Sequence, residues 1–329
     1  MDTFKSFESK IYSLNDQSFT DIALEIFRFQ AEANPVYASY IRNLRIKVSE
    51  VKQLTDIPFL PISFFKSQQI QSGSWTPQTV FQSSGTTGMT TSKHAVADLL
   101  FYQKNSQMCF EYFFGQVSHY NFLALLPSYL EREGSSLITM MDHFIKSGGG
   151  YSGYYLHDHT RLLEDLEKLR DSDGKKIILW GVSFALLDLV EYGPVDLGHC
   201  HVFETGGMKG RRKEITREAL HNALKTAFNL PAVYSEYGMT ELLSQAYTTG
   251  TNRFLCPPWM KIIGREPGDP FSKGLLGETA GINVIDLANW QTISFIETED
   301  IGKVFSDGSF EVLGRMDNSD IRGCNLMIG

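Results

Sequence analysis

Cysteine is scarce in this sequence, and no long apolar run occurs. Cys109, Cys200, Cys256 and Cys324 are its four cysteines in 329 residues, and no two stand in a CxxC spacing. This pattern excludes a disulfide framework and a zinc knot, and it favours a reducing compartment. No stretch approaches the ~18 apolar residues of a transmembrane helix, and the polar start lacks a signal-peptide core. We therefore expect a cytoplasmic protein without a membrane span.

Basic residues and two catalytic signatures are also lacking. The chain has 30 Lys and Arg against 38 Asp and Glu, a net charge of -8, which argues against nucleic acid as the main ligand. It contains neither the Gly-x-Ser-x-Gly elbow of serine hydrolases nor the Gly-Lys-Ser/Thr ending of a Walker A loop. The pair His157 and His159 flanks Asp158, and this segment fits a helix start better than a metal site.

The sequence does contain enough apolar residues for one large or two medium domains, since 42% of its residues are hydrophobic. Short β-like runs alternate with helical patterns between residues 80 and 234. The predicted strands are Val80-Phe81, Asn121–Leu126, Lys176–Trp180, His201–Phe203 and Ala232–Tyr234. Predicted helices include one along Leu99–Phe113 and one that Asp158 caps. The alternation predicts an α/β fold with a mainly parallel sheet and helices on its faces.

The sequence pattern changes after about Ala246, where turn-forming residues become frequent and short β-like runs lie between them. We therefore predict three segments. Residues 1–245 form a helical N-terminal segment and an α/β core, residues 246–315 a β-rich subdomain of the same large domain, and residues 316–329 a hinge-like tail.

The sharpest local motif is a hydroxyl- and glycine-rich loop between a predicted strand and a predicted helix. It consists of Ser83, Ser84, Gly85, Thr86, Thr87 and Gly88. Glycines permit a tight backbone approach, and hydroxyls with exposed N–H groups can surround phosphate oxygens. Lys93 follows and can add a positive charge. A plain polar turn is the alternative interpretation.

Three further segments follow strand-like runs or turns, and each has a plainer interpretation as a helix start or a hairpin turn. Tyr234–Glu241 offers aromatic faces, a hydroxyl and a carboxylate at a strand end, where open α/β sheets bind ligands. Glu204–Lys209 contains Gly206 and Gly207, whose bare backbone allows a planar ring to approach. Glu299–Gly302 and Gly314–Asp317 supply Asp300 and Arg315, which can hydrogen-bond sugar hydroxyls.

Taken in order, these segments resemble the motifs of the acyl-adenylate-forming superfamily, which includes acyl-CoA synthetases, peptide-synthetase adenylation domains and luciferases. The match runs from about Phe81 to Asp317. The resemblance implies the large N-terminal domain of these enzymes, ATP and Mg²⁺ as cofactors, and activation of a carboxylic acid as acyl-AMP.

The resemblance also implies roles for individual residues. Ser83–Gly88 corresponds to the phosphate loop. Gly206, Gly207 and Tyr237 correspond to the adenine site, and Gly238 belongs with these nucleotide-binding residues. Thr240 is expected at the α-phosphate and Glu241 at Mg²⁺. Asp300 and Arg315 are expected at the ribose, and Asp317 at a hinge between domains.

Two departures from the family pattern point to one branch of it. The usual proline-lysine after the loop is replaced by Met89–His94, so that Lys93 is displaced, and the small C-terminal domain with its catalytic lysine is expected to be lacking. The acyl-protein synthetases of bacterial bioluminescence fatty-acid reductase complexes are similar on both counts. That likeness implies a fatty acid substrate, acyl transfer to Cys324 and an acyl-CoA reductase-like partner protein.

Two alternatives stay open at this point. One is an acyl- or aryl-CoA ligase resembling phenylacetate-CoA ligase, and the other is a degenerate nucleotide-binding scaffold without turnover. An apolar acyl pocket is also predicted, because large apolar residues are frequent near the motifs. Those residues are Phe122, Leu125, Trp180, Phe184, Leu186 and Leu187.

Overall fold

The computed structural model describes residues 3–14, 18–83, 90–127, 134–170, 174–207, 212–213 and 215–316. Its helices are α1 (Thr3–Tyr12), α2 (Phe19–Ala33), α3 (Pro35–Asn43), α4 (Phe64–Ser67), α5 (Leu99–Phe114), α6 (Ser136–Ser147), α7 (His159–Leu169), α8 (Ser183–Val190) and α9 (Arg217–Phe228). None of the helices in these ranges is long and apolar enough to cross a bilayer.

The strands alternate with helices in the middle of the chain and follow one another closely towards its end. They are β1 (Leu60–Pro61), β2 (Thr79–Gln82), β3 (Lys93–Val96), β4 (Tyr120–Leu125), β5 (Gly153–Tyr154), β6 (Lys176–Val182), β7 (Cys200–Thr205), β8 (Val233–Tyr237), β9 (Ala246–Thr248), β10 (Phe254–Leu255), β11 (Met260–Glu266), β12 (Asp269–Lys273), β13 (Thr279–Asp286), β14 (Phe295–Val304) and β15 (Phe310–Arg315).

The chain divides into two compact units that interleave along the sequence. Unit 1 contains the described residues within 1–99, 240–244 and 256–329, and unit 2 those within 100–239 and 245–255. The division into segments 1–245, 246–315 and 316–329 is based on local sequence patterns, and it stays a prediction. Tertiary contacts group the chain differently, because the strands after residue 256 pack with the N-terminal helices rather than forming a separate unit.

Unit 2 contains the mainly parallel sheet that the alternating pattern predicts. Strands β5, β4, β6, β7 and β8 are parallel neighbours in that order, and β9 and β10 continue the sheet with antiparallel pairing. Every residue of β4 is buried, as is all of β6 after Lys176. Strands buried on both faces read as continuous apolar runs, which is why their existence could be predicted.

One face of this sheet carries an aromatic layer. Trp180, Phe203 and Tyr234 are register partners on β6, β7 and β8, and successive ring centroids are 4.8 and 5.0 Å apart. Phe110 of α5 and Tyr247 of β9 pack edge to face within the same layer, with centroids 6.1 Å apart. Offset and edge-to-face pairs of this kind stabilise a core beyond simple burial.

Residues predicted to surround an apolar acyl pocket lie in the core of unit 2. Phe122, Leu125, Trp180, Phe184 and Leu186 are at most 1% exposed. Phe122, for example, packs against Phe110 and Phe144. These side chains are accounted for by ordinary packing of helices on the sheet.

Unit 1 is built around an antiparallel sheet with the strand order β12, β11, β13, β14 and β15, and β1 pairs with β14 in parallel. Strands β2 and β3 form a separate antiparallel ribbon. Helix α2 buries Ile26 and Phe27, while Ile22 and Phe29 are half-buried. The dense turn signals after Ala246 correspond to the hairpins of this sheet.

Helix and strand boundaries mostly agree with the predicted ones. The Asp158 side chain accepts a hydrogen bond from the backbone N–H of Arg161 at 3.0 Å and caps α7, so the helix-start interpretation is confirmed. Among the β-like runs after Ala246, the apolar run that starts near Thr292 enters β14 only at Phe295. Thr292 belongs to a turn in which its N–H donates to the Asn289 carbonyl, and this turn delays the start of β14.

Candidate functional site

Ser83 and Ser92 close the base of the hydroxyl- and glycine-rich loop in unit 1. The Ser83 N–H donates to the Ser92 carbonyl at 3.1 Å, and the Ser92 N–H donates to the Ser83 Oγ at 2.9 Å. Lys93 is exposed at the start of β3, opposite Gln82. The loop residues Ser84, Gly85, Thr86, Thr87 and Gly88 lie outside the described residues. The antiparallel strands β2 and β3 thus lead the chain into this loop and out of it.

The Thr240–Ser244 segment is held by buried polar groups of unit 1. Asp286 is fully buried, and its carboxylate accepts hydrogen bonds from the N–H groups of Leu243 and Ser244, each at 2.9 Å. The Asn289 amide donates to the Glu241 carbonyl at 2.7 Å. His94 Nδ1 lies 2.8 Å from the carbonyl oxygen of Thr240. This segment is not a regular helix, so side chains must satisfy its backbone groups.

Glu241 presents a buried carboxylate in the same unit. Its exposed fraction is 5%, and burial raises its pKa, while the Ser92 hydroxyl donates to the carboxylate and works in the opposite direction. The positive charge of Arg315 also lowers the pKa of Glu241, and the negative charge of Asp300 raises it. The structure therefore brings Glu241, Asp300 and Arg315 within electrostatic reach of one another, although 59 residues separate Glu241 from Asp300 in sequence.

Asp300 and Arg315 are register partners on β14 and β15. Arg315 Nε lies 3.4 Å from Asp300 Oδ1, and Arg315 Nη2 lies 3.6 Å from Glu299 Oε2. Asp300 is buried, whereas the side chain of Arg315 is 65% exposed. An exposed pair contributes little stability. This geometry leaves the guanidinium free to rearrange when another acceptor is present.

Gly206 and Gly207 follow β7 in unit 2. Gly206 has a φ of +70°, a backbone conformation that glycine adopts without strain, and it redirects the chain as the strand ends. A Cβ atom placed on Gly207 would meet nothing within 4 Å. The Ser183 hydroxyl donates to the Gly206 carbonyl at 2.8 Å and fixes this turn. An open backbone face at a strand end permits the approach of a flat ligand.

Tyr237 and Gly238 follow β8 in the same unit. Tyr237 is buried, with its ring centroid 5.7 Å from that of Phe254. A Cβ atom on Gly238 would collide with the carboxylate of Glu236, so a larger residue there would have to displace that carboxylate. Glu236 receives a hydrogen bond from the Thr205 hydroxyl. Burial raises the pKa of Glu236 to about 7, the Thr205 hydroxyl lowers it, and the nearby charge of Glu204 raises it.

Glu204 is a second acidic residue of unit 2, and its pKa is lowered whereas that of Glu236 is raised. Its carboxylate accepts from the Ser183 hydroxyl at 3.1 Å and from Arg217 Nε at 3.2 Å. Burial raises the pKa of Glu204, but hydrogen bonds and charges from His221, Arg217 and Ser235 outweigh that effect and leave it below its usual value. Perturbed groups of this kind gather at functional sites. Glu204 and Glu236 lie within the segments Glu204–Lys209 and Tyr234–Glu241, but their sequence pattern indicates no role for either residue.

Two of the predicted residues, Asp317 and Cys324, lie outside the described residues. Of the remaining cysteines, Cys109 and Cys200 are buried and Cys256 is half-buried. Burial raises the pKa of the Cys200 thiol to about 12, which opposes thiolate formation at that position.

Within the described residues, no group of three or more metal-binding side chains occurs. Mg²⁺ seldom needs one, because it binds through one or two carboxylates together with substrate phosphates and water. A buried carboxylate such as Glu241, whose pKa burial raises, fits that kind of ligand. Unit 1 thus supplies a carboxylate for a cation, an acid–arginine pair for hydroxyl groups and the base of a phosphate-type loop.

Comparison with known proteins identifies the fold. No family model matches the sequence, and neither does any curated protein. Among solved structures, ATP-bound MatB from Rhodopseudomonas palustris matches with a TM-score of 0.55 and 16% identity over 72% of this chain and 47% of MatB. The chain thus spans about half the length of that relative.

A second solved structure, 2-hydroxyisobutyryl-CoA ligase in complex with 2-HIB-AMP and CoA in the thioesterification state, matches with a TM-score of 0.69. The identity is 13%, over 92% of this chain and 68% of the ligase. Its open conformation matches with a TM-score of 0.67 and 12% identity, over 75% of the ligase. By structural likeness, then, the chain has the α/β fold of the large domain of adenylate-forming ligases.

Proposed function

We propose that this protein uses ATP to activate a carboxylic acid as an acyl-adenylate, with release of pyrophosphate. The observation that carries the proposal is the grouping in unit 1 of Glu241, Asp300 and Arg315 with the Ser83–Ser92 loop base, on the fold of adenylate-forming ligases. These residues come from distant parts of the chain. Their order matches the family motifs, and their chemistry matches a nucleotide triphosphate with its cation.

The reaction needs these residues because both reactants are anions. A carboxylate oxygen attacks the α-phosphorus of ATP, the new P–O bond forms, and pyrophosphate leaves with the electron pair of the broken bond. When bound, Mg²⁺ would neutralise the negative charge that develops on the phosphates. Glu241 would hold that ion, Thr240 would hydrogen-bond the α-phosphate, and the loop N–H groups would bind the remaining phosphate oxygens. Asp300 and Arg315 would orient the ribose.

The test is ATP–pyrophosphate exchange over a panel of carboxylic acids. Label from pyrophosphate should enter ATP only when Mg²⁺ and an accepted acid are both present. A degenerate nucleotide-binding scaffold would bind ATP but exchange nothing. If the wild-type protein exchanges with no acid of the panel, the proposed activity is wrong.

We further propose, on the resemblance to acyl-protein synthetases, that the acid is a fatty acid and that Cys324 accepts the acyl group. In this step the Cys324 thiolate attacks the acyl carbon, a thioester forms, and AMP leaves. Arg322 stands two residues before Cys324 in the sequence, and a nearby cation lowers a thiol pKa from its ordinary ~8.5. A thioester keeps enough reactivity for transfer to an acyl-CoA reductase-like partner.

Intact mass measurement after incubation with ATP and a fatty acid tests this acceptor. Wild type should gain one acyl group that neutral hydroxylamine removes, and Cys324→Ala should lose the adduct but keep pyrophosphate exchange. An adduct that maps to Cys109, Cys200 or Cys256 instead would rule the assignment out. In the same assay, octanoate should outperform acetate, since each buried methylene contributes ~0.8 kcal/mol.

A second candidate, an acyl- or aryl-CoA ligase, is favoured by one observation. The similar solved structure that covers most of this chain is a CoA ligase bound to 2-HIB-AMP and CoA. Adding CoA to the wild-type reaction distinguishes the two candidates. Free acyl-CoA formed at the same rate by wild type and Cys324→Ala would favour the ligase, whereas a covalent protein thioester favours the acyl-protein synthetase.

A further inference from the structure

His94 lies in unit 1, one residue after Lys93 on β3, and no role has been assigned to it so far. Its side chain is 1% exposed and packs edge to face against Phe65, with ring centroids 5.5 Å apart. Nδ1 lies 2.8 Å from the Thr240 carbonyl oxygen, and Nε2 lies 2.9 Å from Thr292 Oγ1. Both ring nitrogens therefore contact polar atoms within a buried environment.

Polar contacts continue from His94 Nε2 through Thr292 and Asn289 to the next residue of the proposed site. The Thr292 hydroxyl donates to Asn289 Oδ1 at 2.7 Å, and Asn289 Nδ2 donates to the Glu241 carbonyl at 2.7 Å. The network therefore begins at the Thr240 carbonyl and ends at the Glu241 carbonyl. It connects the two adjacent peptide groups that carry the proposed phosphate and cation ligands.

We infer that His94 is a positioning residue, which fixes the Thr240 peptide group through its Nδ1–H and packs beside the Thr292–Asn289 pair that holds the Glu241 carbonyl. The inference rests on the proposed function, because it gives these two residues a reaction to serve. His94 touches neither substrate nor cation in this assignment. It acts by limiting the orientations that the Thr240 hydroxyl and the Glu241 carboxylate can adopt.

The number of available protons determines which of the two ring-nitrogen contacts of His94 is a hydrogen bond. A carbonyl oxygen only accepts, so the Thr240 contact requires a proton on Nδ1, and a neutral imidazole then leaves Nε2 as an acceptor. Burial lowers the pKa of His94 to about 4, which keeps the ring neutral at neutral pH, although the contacts to Thr240 and Asn289 raise it. Thr292 has one hydroxyl proton for two acceptors, His94 Nε2 and Asn289 Oδ1. The Nδ1–H bond to Thr240 is thus the fixed contact of His94.

The anchoring of the following residues is separate from His94. Asp286 holds the N–H groups of Leu243 and Ser244, and Trp259 Nε1 donates to Ser244 Oγ at 3.1 Å. Loss of His94 should therefore loosen Thr240 and Glu241 while Leu243 and Ser244 stay attached. Such local loosening of the backbone can be measured by amide hydrogen exchange while the protein stays folded.

The experiment compares wild type with His94→Ala, His94→Asn and a matched control, Tyr37→Phe. Asparagine places an amide N–H near the position of Nδ1 and can restore the Thr240 bond. Tyr37→Phe removes another fully buried hydrogen bond of unit 1, from the Tyr37 hydroxyl to the Pro58 carbonyl at 2.5 Å. It controls for loss of stability alone.

The first readout is hydrogen–deuterium exchange on the peptide that covers Gly238–Gln245, and it requires no activity. Exchange in this peptide should rise in His94→Ala, return towards the wild-type rate in His94→Asn and stay unchanged in Tyr37→Phe. Unchanged exchange in His94→Ala overturns the assignment, whether or not the protein turns over.

The second readout is pyrophosphate exchange. We expect His94→Ala to lower kcat by about 10- to 100-fold with KM for ATP changed less than about twofold, because misplaced groups lose interactions made in the transition state. His94→Asn should recover most of kcat. Equal activity of His94→Ala and wild type overturns the positioning role, whereas a wild type without exchange overturns the proposed function and leaves the first readout to decide on His94.

Discussion

At the scale of single residues, the candidate site depends on carboxylates in unlike surroundings. Glu241 is buried beside Ser92, Asp300 pairs with an exposed Arg315, and Glu236 accepts a hydrogen bond from the Thr205 hydroxyl. Burial raises the pKa of Glu241 and of Glu236, because the charged carboxylate loses its hydration. Binding a cation or a proton would therefore stabilise each of these carboxylates. The chemical identity of these residues was visible in the sequence, and their surroundings were not.

Replacing Glu241 tests the cation role directly. Glu241→Ala should slow pyrophosphate exchange by about two orders of magnitude or more, which is the usual cost of losing one preorganised electrostatic element. Glu241→Gln keeps the size of the side chain and should be nearly as slow, because the charge is lost. Exchange rates as a function of Mg²⁺ concentration provide the measurement. Retention of wild-type exchange by Glu241→Gln would contradict the assignment.

Replacing Asp300 tests the ribose role. Asp300→Ala should raise KM for ATP by about tenfold with a smaller change in kcat, because a hydrogen bond to a hydroxyl is made equally in the ground and transition states. The half-buried Glu299 is the neighbouring control, since Glu299→Ala removes a carboxylate at the adjacent position of β14 that contacts Arg315 but has no assigned contact to the ribose. Equal KM values for the two variants would argue against Asp300 as the ribose ligand.

At the scale of elements, local sequence signals explain how α7 begins and how β14 bends. Asp158 caps α7. Between Ile301 and Gly302 the register of β14 against β15 shifts, and a Cβ atom on Gly302 would collide with the Glu311 carbonyl. A bulge of this kind redirects a strand. The shift comes directly after the paired residues Asp300 and Ile301 of β14.

The α7 cap gives a stability prediction at this scale. Asp158→Ala should lower the free energy of unfolding by about 1 kcal/mol, because an N–H group of the first turn loses its acceptor. Asp158→Ser keeps an acceptor and should cost much less. Urea denaturation of both variants measures the difference, and equal midpoints for Asp158→Ala and wild type would exclude a stabilising cap.

At the scale of the whole molecule, two buried titratable groups give opposite dependences of stability on pH. Burial lowers the pKa of His94 to about 4, so its contribution is present above its ordinary value of 6.5 and is lost as the pH falls towards 4. Burial raises the pKa of Glu236 from 4.5 to about 7, so its contribution is present below 4.5 and is lost as the pH rises towards 7. The two effects oppose each other between pH 4.5 and 6.5.

Glu236→Gln removes one of these opposing effects. Between pH 4.5 and 6.5, the variant should become more stable with rising pH relative to wild type, by about 2 kcal/mol, since one pKa unit corresponds to about 1.4 kcal/mol. Thermal unfolding over this pH range is the measurement, with Glu191→Gln on the exposed end of unit 2 as the control. Parallel curves for Glu236→Gln and wild type would show that the Glu236 carboxyl does not titrate as described.

The sequence by itself determined the chain order of the elements, the parallel sheet and the residues that carry polar chemistry. Periodicity, glycine spacing and cap residues are local properties, so Asp158, the strands around Trp180 and the segment around Glu241 could be predicted. Burial on both faces of β4 and β6 follows from their continuous apolar runs.

Only the tertiary structure decided which of these residues meet. The grouping of residues 240–244 with unit 1, the raised pKa of Glu236 and the connection from His94 to Thr240 depend on contacts between segments far apart in sequence. In the sequence, His94 was an unremarked residue after a lysine. Its role depends on the Thr240 carbonyl and the Thr292 hydroxyl, which the 240–244 segment and the Asn289–Thr292 turn place on either side of the ring. Desolvation and hydrogen-bond geometry of this kind arise only when the chain is folded.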